Sequence, residues 1–214
     1  MRRGNFQDDT VDYAAVGGTQ ADDLLQFPPE QSLPAAESRR IGSGEERFRA
    51  ASEAMLAWAA QRAVAEIVEV RAAADTAYTG VDFDVDGNPV APAELAGEQR
   101  FDADGVPLVS SGATISLRGR VKAYRVTGEY RVVSLTETSR RVSFALGTVS
   151  GAVVSGEELF ALTWREDDEV WLELRAFDRP TRPLGRMFKG LVRARRRALF
   201  DRYLRTISPL FKTP

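Results

Sequence analysis

Apolar residues recur along this chain with two different periods, and the change of period marks out its elements. Phe48, Ala51, Met55, Trp58 and Ala59 follow one another at helical spacing and predict a helix from about residue 44 to about 64. Ser43 stands three residues before Glu46, the spacing of a capping box at its start. From Ile67 to Phe177 the period falls to two. Val142, Phe144 and Leu146 alternate with Arg141, Ser143 and Ala145, and Val170, Leu172 and Leu174 alternate with Trp171, Glu173 and Arg175. Such alternation marks strands with one buried face, the habit of antiparallel sheets. Strands are predicted at 65–73, 113–121, 122–127, 130–137, 140–149, 157–164 and 169–177, the last two joined by a turn at Asp167-Asp168. Arg39-Arg40-Ile41 reads as a short first strand. A final helix runs from about Leu184 to about Ile207, entered behind Pro180 and Pro183 and stopped by Ser208-Pro209.

The order is strand, helix, a run of antiparallel strands and a long terminal helix. It predicts an α+β fold: a curved antiparallel sheet of six or seven strands, one N-terminal helix, and a long C-terminal helix as the lid that an apolar sheet face needs. In element order this resembles the helix-grip fold of the Bet v 1 and START-like proteins, where the sheet wraps the last helix around a cavity. Residues 1–36 are polar and broken by Gly17-Gly18, Pro28-Pro29 and Pro34, which predicts an irregular arm. Residues 37–214 form a single domain with a loop insertion at about 80–110. There Phe83-Asp84-Val85-Asp86-Gly87 recurs as Phe101-Asp102-Ala103-Asp104-Gly105, and Asp-Gly is a strong turn signal. Asp82, Asp84, Asp86 and Gly87 match the front of a calcium loop, but Ala93 stands where the loop needs a bidentate glutamate. Turn chemistry accounts for both copies, and no metal is assigned.

Three segments are similar to the DUF1990 family. They are Tyr13 with Val16-Gly17-Gly18-Thr19; Ile41-Gly42-Ser43-Gly44 running to Phe48, Leu56 and Trp58; and Phe144-Ala145-Leu146-Gly147-Thr148-Val149 followed by Gly156-Glu157-Glu158-Leu159-Phe160 and Phe177-Asp178-Arg179-Pro180. Ala152-Val153 stand where the family pattern has His-Pro, so chemistry by that histidine is closed to this chain. The resemblance implies a fold and supplies no activity.

Composition narrows the chemistry. The chain has no cysteine and no histidine, which removes disulfides, Cys and His nucleophiles and the usual zinc ligands. Chemistry is left to carboxylates, Arg, Lys, Tyr, Ser and Thr, and no cofactor is expected. No apolar run approaches the roughly 18 residues of a membrane span, and the first residues lack the apolar stretch of a secretion signal. A cytoplasmic, bacterial protein is the expectation. Net charge is −2, but residues 179–214 hold eleven Arg or Lys against Asp201 alone.

Glu157 and Glu158 must point to opposite faces of their strand. Glu158 shares a face with Phe160, Leu162 and Trp164, and Thr148 shares one with Phe144 and Leu146. Thr148 and Glu158, as polar groups at the edge of an apolar cavity, are therefore candidate ligand-binding residues together with Phe144, Phe160, Leu162 and Tyr124. Leu184, Phe188, Leu191 and Ala198 share one face of the last helix with Arg195 in its middle, which directs Arg195 toward Glu158 or a bound anion. Arg193, Arg196 and Arg197 form a candidate anion-binding surface. The leading reading is a binding protein that holds a small apolar or amphipathic ligand between the sheet and the last helix. Two alternatives stay open: an interaction protein docking its basic helix on an anionic partner such as acidic lipid, and an enzyme using Glu158 as acid or base. No nucleic-acid motif is present.

Overall fold

The period-two segments pair as their alternation demands. The structure, a computed structural model, describes residues 11–72, 82–83, 89–90, 100–101, 105–181 and 189–208. Its strands are β1 (Leu33–Ser43), β2 (Ala65–Arg71), β3 (Asp82–Phe83), β4 (Pro89–Val90), β5 (Thr114–Val121), β6 (Tyr124–Glu137), β7 (Arg141–Ser150), β8 (Val154–Trp164) and β9 (Glu169–Pro180). Its helices are α1 (Glu45–Leu56), α2 (Ala59–Arg62) and α3 (Lys189–Ile207). Seven strands form one antiparallel sheet in the order β1-β9-β8-β7-β6-β5-β2. Strands β5 to β9 follow one another as a meander. β1 and β2, at either end of the α1–α2 pair, go to the two edges. With α3 laid over one face, this is the helix-grip arrangement.

Four expectations are corrected. The first strand is longer than Arg39-Arg40-Ile41 and takes in Leu33–Ala36, which the sequence pattern places in the arm. Pro34 is tolerated because β1 is an edge strand, where a missing N–H need not break the ladder. Segments 122–127 and 130–137 are one strand, β6, which runs straight through Gly128. Its partner register with β7 slips at Glu129/Tyr130 and at Val132/Ser134. Such bulges bend a sheet and sharpen its twist. The single helix of 44–64 is two, because Trp58 sits in the left-handed region at φ 63°. That conformation sends the indole into the core, where Nε1 donates to the Pro107 carbonyl at 2.8 Å and the ring meets Phe144 edge-on at 5.9 Å. The capping box is not formed: Gly44 is the cap residue, and no side chain bonds to the helix start.

The helix-covered face holds one continuous core, from Ile41, Met55 and Trp58 through Phe144, Phe160, Leu162, Leu172 and Leu174 to Leu199, Tyr203 and Leu204. Phe144 stacks on Phe160 at 5.1 Å, and Phe160 meets Tyr203 of α3 at 5.2 Å. A small second cluster of Ala145, Leu159 and Ala161 lies on the opposite face. Arg47 ties three elements together, with Nε donating to Ile41 O at 3.0 Å and Nη2 to Ile207 O at 2.8 Å. The second bond satisfies a carbonyl at the end of α3 that the helix leaves free. Among the described residues no helix is long and apolar enough to cross a membrane. In the insertion, β3 pairs with β4 and Phe101 bridges to Pro107. Asp84, Asp86, Gly87, Asp102 and Asp104 of the Asp-Gly repeats lie outside the described residues.

Candidate functional site

The site begins with strand register. Glu158 of β8 pairs with Ala176 of β9, and Gly156 pairs with Asp178, so alternation puts Glu158 and Asp178 on the same, helix-covered face. α3 brings Arg195, Arg196, Leu199 and Tyr203 onto that face. Arg196 grips Asp178 as a fork, Nε to Oδ2 at 2.7 Å and Nη2 to Oδ1 at 2.5 Å, and its Nη1 donates to Glu158 Oε1. The Tyr203 hydroxyl donates to Glu158 Oε2 at 3.4 Å. Both Arg196 and Asp178 are buried. A planar guanidinium matches a carboxylate edge in this way, whereas a lysine would offer only a point charge.

The electrostatics of the cluster follow from burial and sharing. Burial works to lower the Arg196 pKa, but Asp178 and Glu158 outweigh it and hold the guanidinium firmly charged. Burial raises the Glu158 pKa, and Asp178 adds to the rise; Arg196 and Arg195 offset only part of it. The two directions are consistent, because Arg196 serves two carboxylates and commits two of its three bonds to Asp178. Burial also raises the phenols of Tyr203 and Tyr130, which stay protonated and can donate.

Beside this cluster is a cavity of about 20 Å3 lined by Gln61, Tyr130, Thr148, Glu158, Arg195 and Tyr203, with Leu117, Val126 and Leu146 as apolar walls. That volume admits about one water-sized group. Arg195 is 6% exposed; its Nε donates weakly to Arg125 O at 3.4 Å, and its Nη1 has no partner among the described residues. Gln61 of α2, 1% exposed, has neither its amide oxygen nor its amide nitrogen bonded there. Buried polar atoms without partners are rare in native proteins, and a water or another small polar group in this cavity would satisfy the ones that line it.

The predicted site residues divide. Thr148, Glu158 and Arg195 come together around the cavity. The Thr148 hydroxyl is already engaged, bonded to the Asp12 carboxylate and accepting from Gly156 N at 2.9 Å. Phe144, Phe160 and Leu162 are fully buried in the core. Tyr124 is half-buried against that core and is absent from the cavity wall. Arg196, expected on an anion-binding surface, is corrected to a buried position because two carboxylates draw it in. Arg193 and Arg197 are exposed. Leu191, expected on the buried face of α3, is 63% exposed. The buried face runs instead through Val192, Arg195, Arg196, Leu199 and Tyr203; Leu184 and Phe188 lie outside the described residues. Sequence reasoning gives no role to Asp178, Gln61, Tyr130 or Tyr203.

The opposite face explains the rest of the sequence pattern. Glu157 is 2% exposed and takes four bonds from the N-terminal arm: Tyr13 hydroxyl at 2.7 Å, Gly17 N at 2.8 Å, Thr19 N at 3.1 Å and the Thr19 hydroxyl. Tyr13 passes directly over Gly147, where any Cβ would collide with its ring and hydroxyl. At Gly156, with φ 156°, a Cβ would run into the Phe177 backbone, so glycine is required where β8 draws tight against β9. Asp12 adds a backbone bond to Thr148 O at 2.9 Å and accepts from the Ser155 hydroxyl at 2.8 Å. The expected irregular arm is therefore a fitted strap that includes a short 3-10 turn, Gly18–Gln20.

Tyr13, Gly17, Thr19, Gly147, Thr148, Gly156, Glu157, Glu158 and Asp178 are thus one connected construction through the sheet, made of segments far apart in sequence. A family model described as "Domain of unknown function (DUF1990)" matches residues 12–96 and 93–206. The chain belongs to the DUF1990 family. A UPF0548 protein from Deinococcus radiodurans is 34% identical over 109 residues, 47% of this chain and 55% of that protein. The match thus spans about half the length of this curated relative. Among solved structures, the chain is similar to the crystal structure of TTHA0849 from Thermus thermophilus, with TM-score 0.48 and 11% identity over 82% of this chain and 94% of that one. It is also similar to norcoclaurine synthase from Thalictrum flavum in complex with dopamine and hydroxybenzaldehyde, with TM-score 0.44 and 10% identity over 84% of this chain and 86% of that one. At these identities the likeness is one of fold alone.

Proposed function

We propose that this DUF1990 protein binds a small amphipathic molecule between its sheet and α3, with the polar end of the ligand at Arg195 and Gln61. One observation carries the reading: Arg195 Nη1 and both ends of the Gln61 amide are buried at the cavity without partners among the described residues. A guanidinium N–H and an amide pair together suit a carboxylate or a carbonyl–hydroxyl group. The present cavity takes about one water-sized group, so a larger ligand would need α3 to move outward and part Arg196 from Asp178 and Glu158. The energy of satisfying those buried groups is what would favour the open, occupied state.

Native mass spectrometry of the freshly purified protein, repeated after solvent denaturation, tests this. A stoichiometric added mass that is lost on denaturation, and absent from Gln61→Leu, supports the reading. Bare chain mass in both, together with no thermal shift from a library of small carboxylates and alcohols, would overturn it.

A second reading has its own observation. Glu158 lines the cavity with a pKa raised by burial and has Tyr203 beside it, a setting that favours the protonated acid that proton transfer needs. It predicts turnover of some bound molecule that Glu158→Gln abolishes while leaving binding intact.

A further inference from the structure

A second recess lies outside the Arg196 ion pairs. It is a groove of about 250 Å3 between edge strand β1 and helix α3. Leu33, Pro34 and Ala35 form one wall and Val192 and Phe200 the other. Arg193, Arg196 and Arg197 line it too, and the spacing 192, 193, 196, 197, 200 places all five α3 residues on one side of the helix. Two acids reach the groove, and both are committed: Asp178 is held in the fork of Arg196, and Glu37 is paired with Arg39 at 3.0 Å. Arg193 and Arg197 are exposed and make no ion pair among the described residues. The groove therefore combines apolar walls with two cations at its rim that make no ion pair among the described residues.

We infer that this groove binds a free amphipathic anion, a carboxylate on an alkyl chain of modest length. Its head lies between Arg193 and Arg197, and its chain runs along Leu33–Ala35 against Val192 and Phe200. Charge complementarity fixes the sign of the head. The size of the groove fixes the length of the tail, because its volume falls below the roughly 300–1,000 Å3 of sites for drug-sized molecules. The arginine forks favour a planar carboxylate. The inference stands apart from the Arg195–Gln61 site, since Arg196 with Asp178 and Glu158 separates the two recesses and neither Arg193 nor Arg197 lines the inner one.

Isothermal titration of the full chain with decanoate tests it, at low and at high salt, with 1-decanol as the uncharged control. The expected result is saturable one-to-one binding that weakens with salt and is absent for decanol. The double variant Arg193→Glu/Arg197→Glu should weaken binding by about tenfold or more, because exposed cations would be replaced by like charges against the head group. Arg202→Glu/Arg205→Glu changes the net charge equally on the same helix but away from the groove, and should leave binding unchanged. All four residues are exposed, so folding should survive and circular dichroism can confirm it. Equal weakening by both double variants would overturn the inference in favour of a general charge effect. Loss of decanoate binding in Gln61→Leu with retention in Arg193→Glu/Arg197→Glu would overturn it in favour of the inner site. Binding only to vesicles of anionic phospholipid, with none to free decanoate, would overturn it in favour of a membrane-docking helix.

Discussion

Glu157 and Glu158 are neighbours in the chain, and the structure uses them in opposite ways. Glu157 faces the arm. It accepts from Tyr13, Gly17 and Thr19, all neutral donors, and both of its oxygens are fully engaged. Glu158 faces α3. It shares a guanidinium with Asp178, has one long bond from Tyr203, and borders the unpartnered groups of Arg195 and Gln61. The first carboxylate is a fastening, because a group with all its lone pairs satisfied has nothing left to offer a ligand. The second is held by charge in a setting that is still short of partners. Burial alone therefore does not distinguish structure from function; the completeness of the hydrogen bonding does.

The sharpest way to break the contrast is to remove the cation. Arg196→Leu leaves buried Asp178 and part-buried Glu158 without their cation, and removing one member of a buried ion pair typically costs about 3–5 kcal/mol. Urea unfolding should show a loss of that size. A loss below about 1 kcal/mol, the range of exposed pairs, would mean that water already reaches the cluster.

The fastening should respond less and more locally. Glu157→Gln turns an acceptor into an NH2 that faces Tyr13 and Gly17 or Thr19, with a cost of about 1.5–3 kcal/mol, the worth of hydrogen bonds to a charged group. Hydrogen exchange should accelerate at residues 12–19 and stay unchanged in β7 and β9. If exchange rises evenly over the whole sheet, the arm is not a separable strap. Gly147→Ala tests the same contact from below with a smaller effect, on the order of 1–2 kcal/mol, by lifting Tyr13 without removing any donor. Limited proteolysis should then cut the arm before the domain.

Part of this is legible in the sequence. Period two over residues 141–177 reveals the strands, and strand geometry alone puts Glu157 and Glu158 on opposite faces. The order of elements reveals the grip. What stays hidden depends on contacts between distant segments. Asp178 gains its role from Arg196, eighteen residues on, and nothing local distinguishes it from an exposed acid. Directing Arg195 toward Glu158 or a bound anion puts that residue correctly on the buried face but misses Arg196, one residue or about 100° of helix phase on, which makes the bond to Glu158. The break at Trp58 has no proline or glycine to announce it, since it is enforced by burial of the indole and its bond to Pro107. The arm reads as irregular because its partners lie about 140 residues away. The available signal is Gly147, a glycine within a strand, which marks a close approach by another piece of backbone or a ring.

The finest test separates the two carboxylates by pH. Burial raises the Glu158 pKa above its ordinary value of 4.5. The folded protein therefore holds a proton on Glu158 in a range where the unfolded chain has lost it. Stability must fall as pH rises from about 4.5 through the raised value, because unfolding releases that proton, and the slope cannot exceed about 1.4 kcal/mol per pH unit for a single group. This is the reverse of an acid stabilised by an ion pair, which loses stability as pH falls. Glu158→Gln cannot ionise, so its stability should lack this decline, and the difference between variant and parent should widen in the variant's favour with rising pH. Urea midpoints measured at small, even pH steps from mildly acidic to neutral read that difference directly. A parent that gains on Glu158→Gln as pH rises would show Arg196 binding Glu158 as tightly as it binds Asp178. Glu158 would then be a fastening like Glu157, and the contrast between the two faces of β8 would fail.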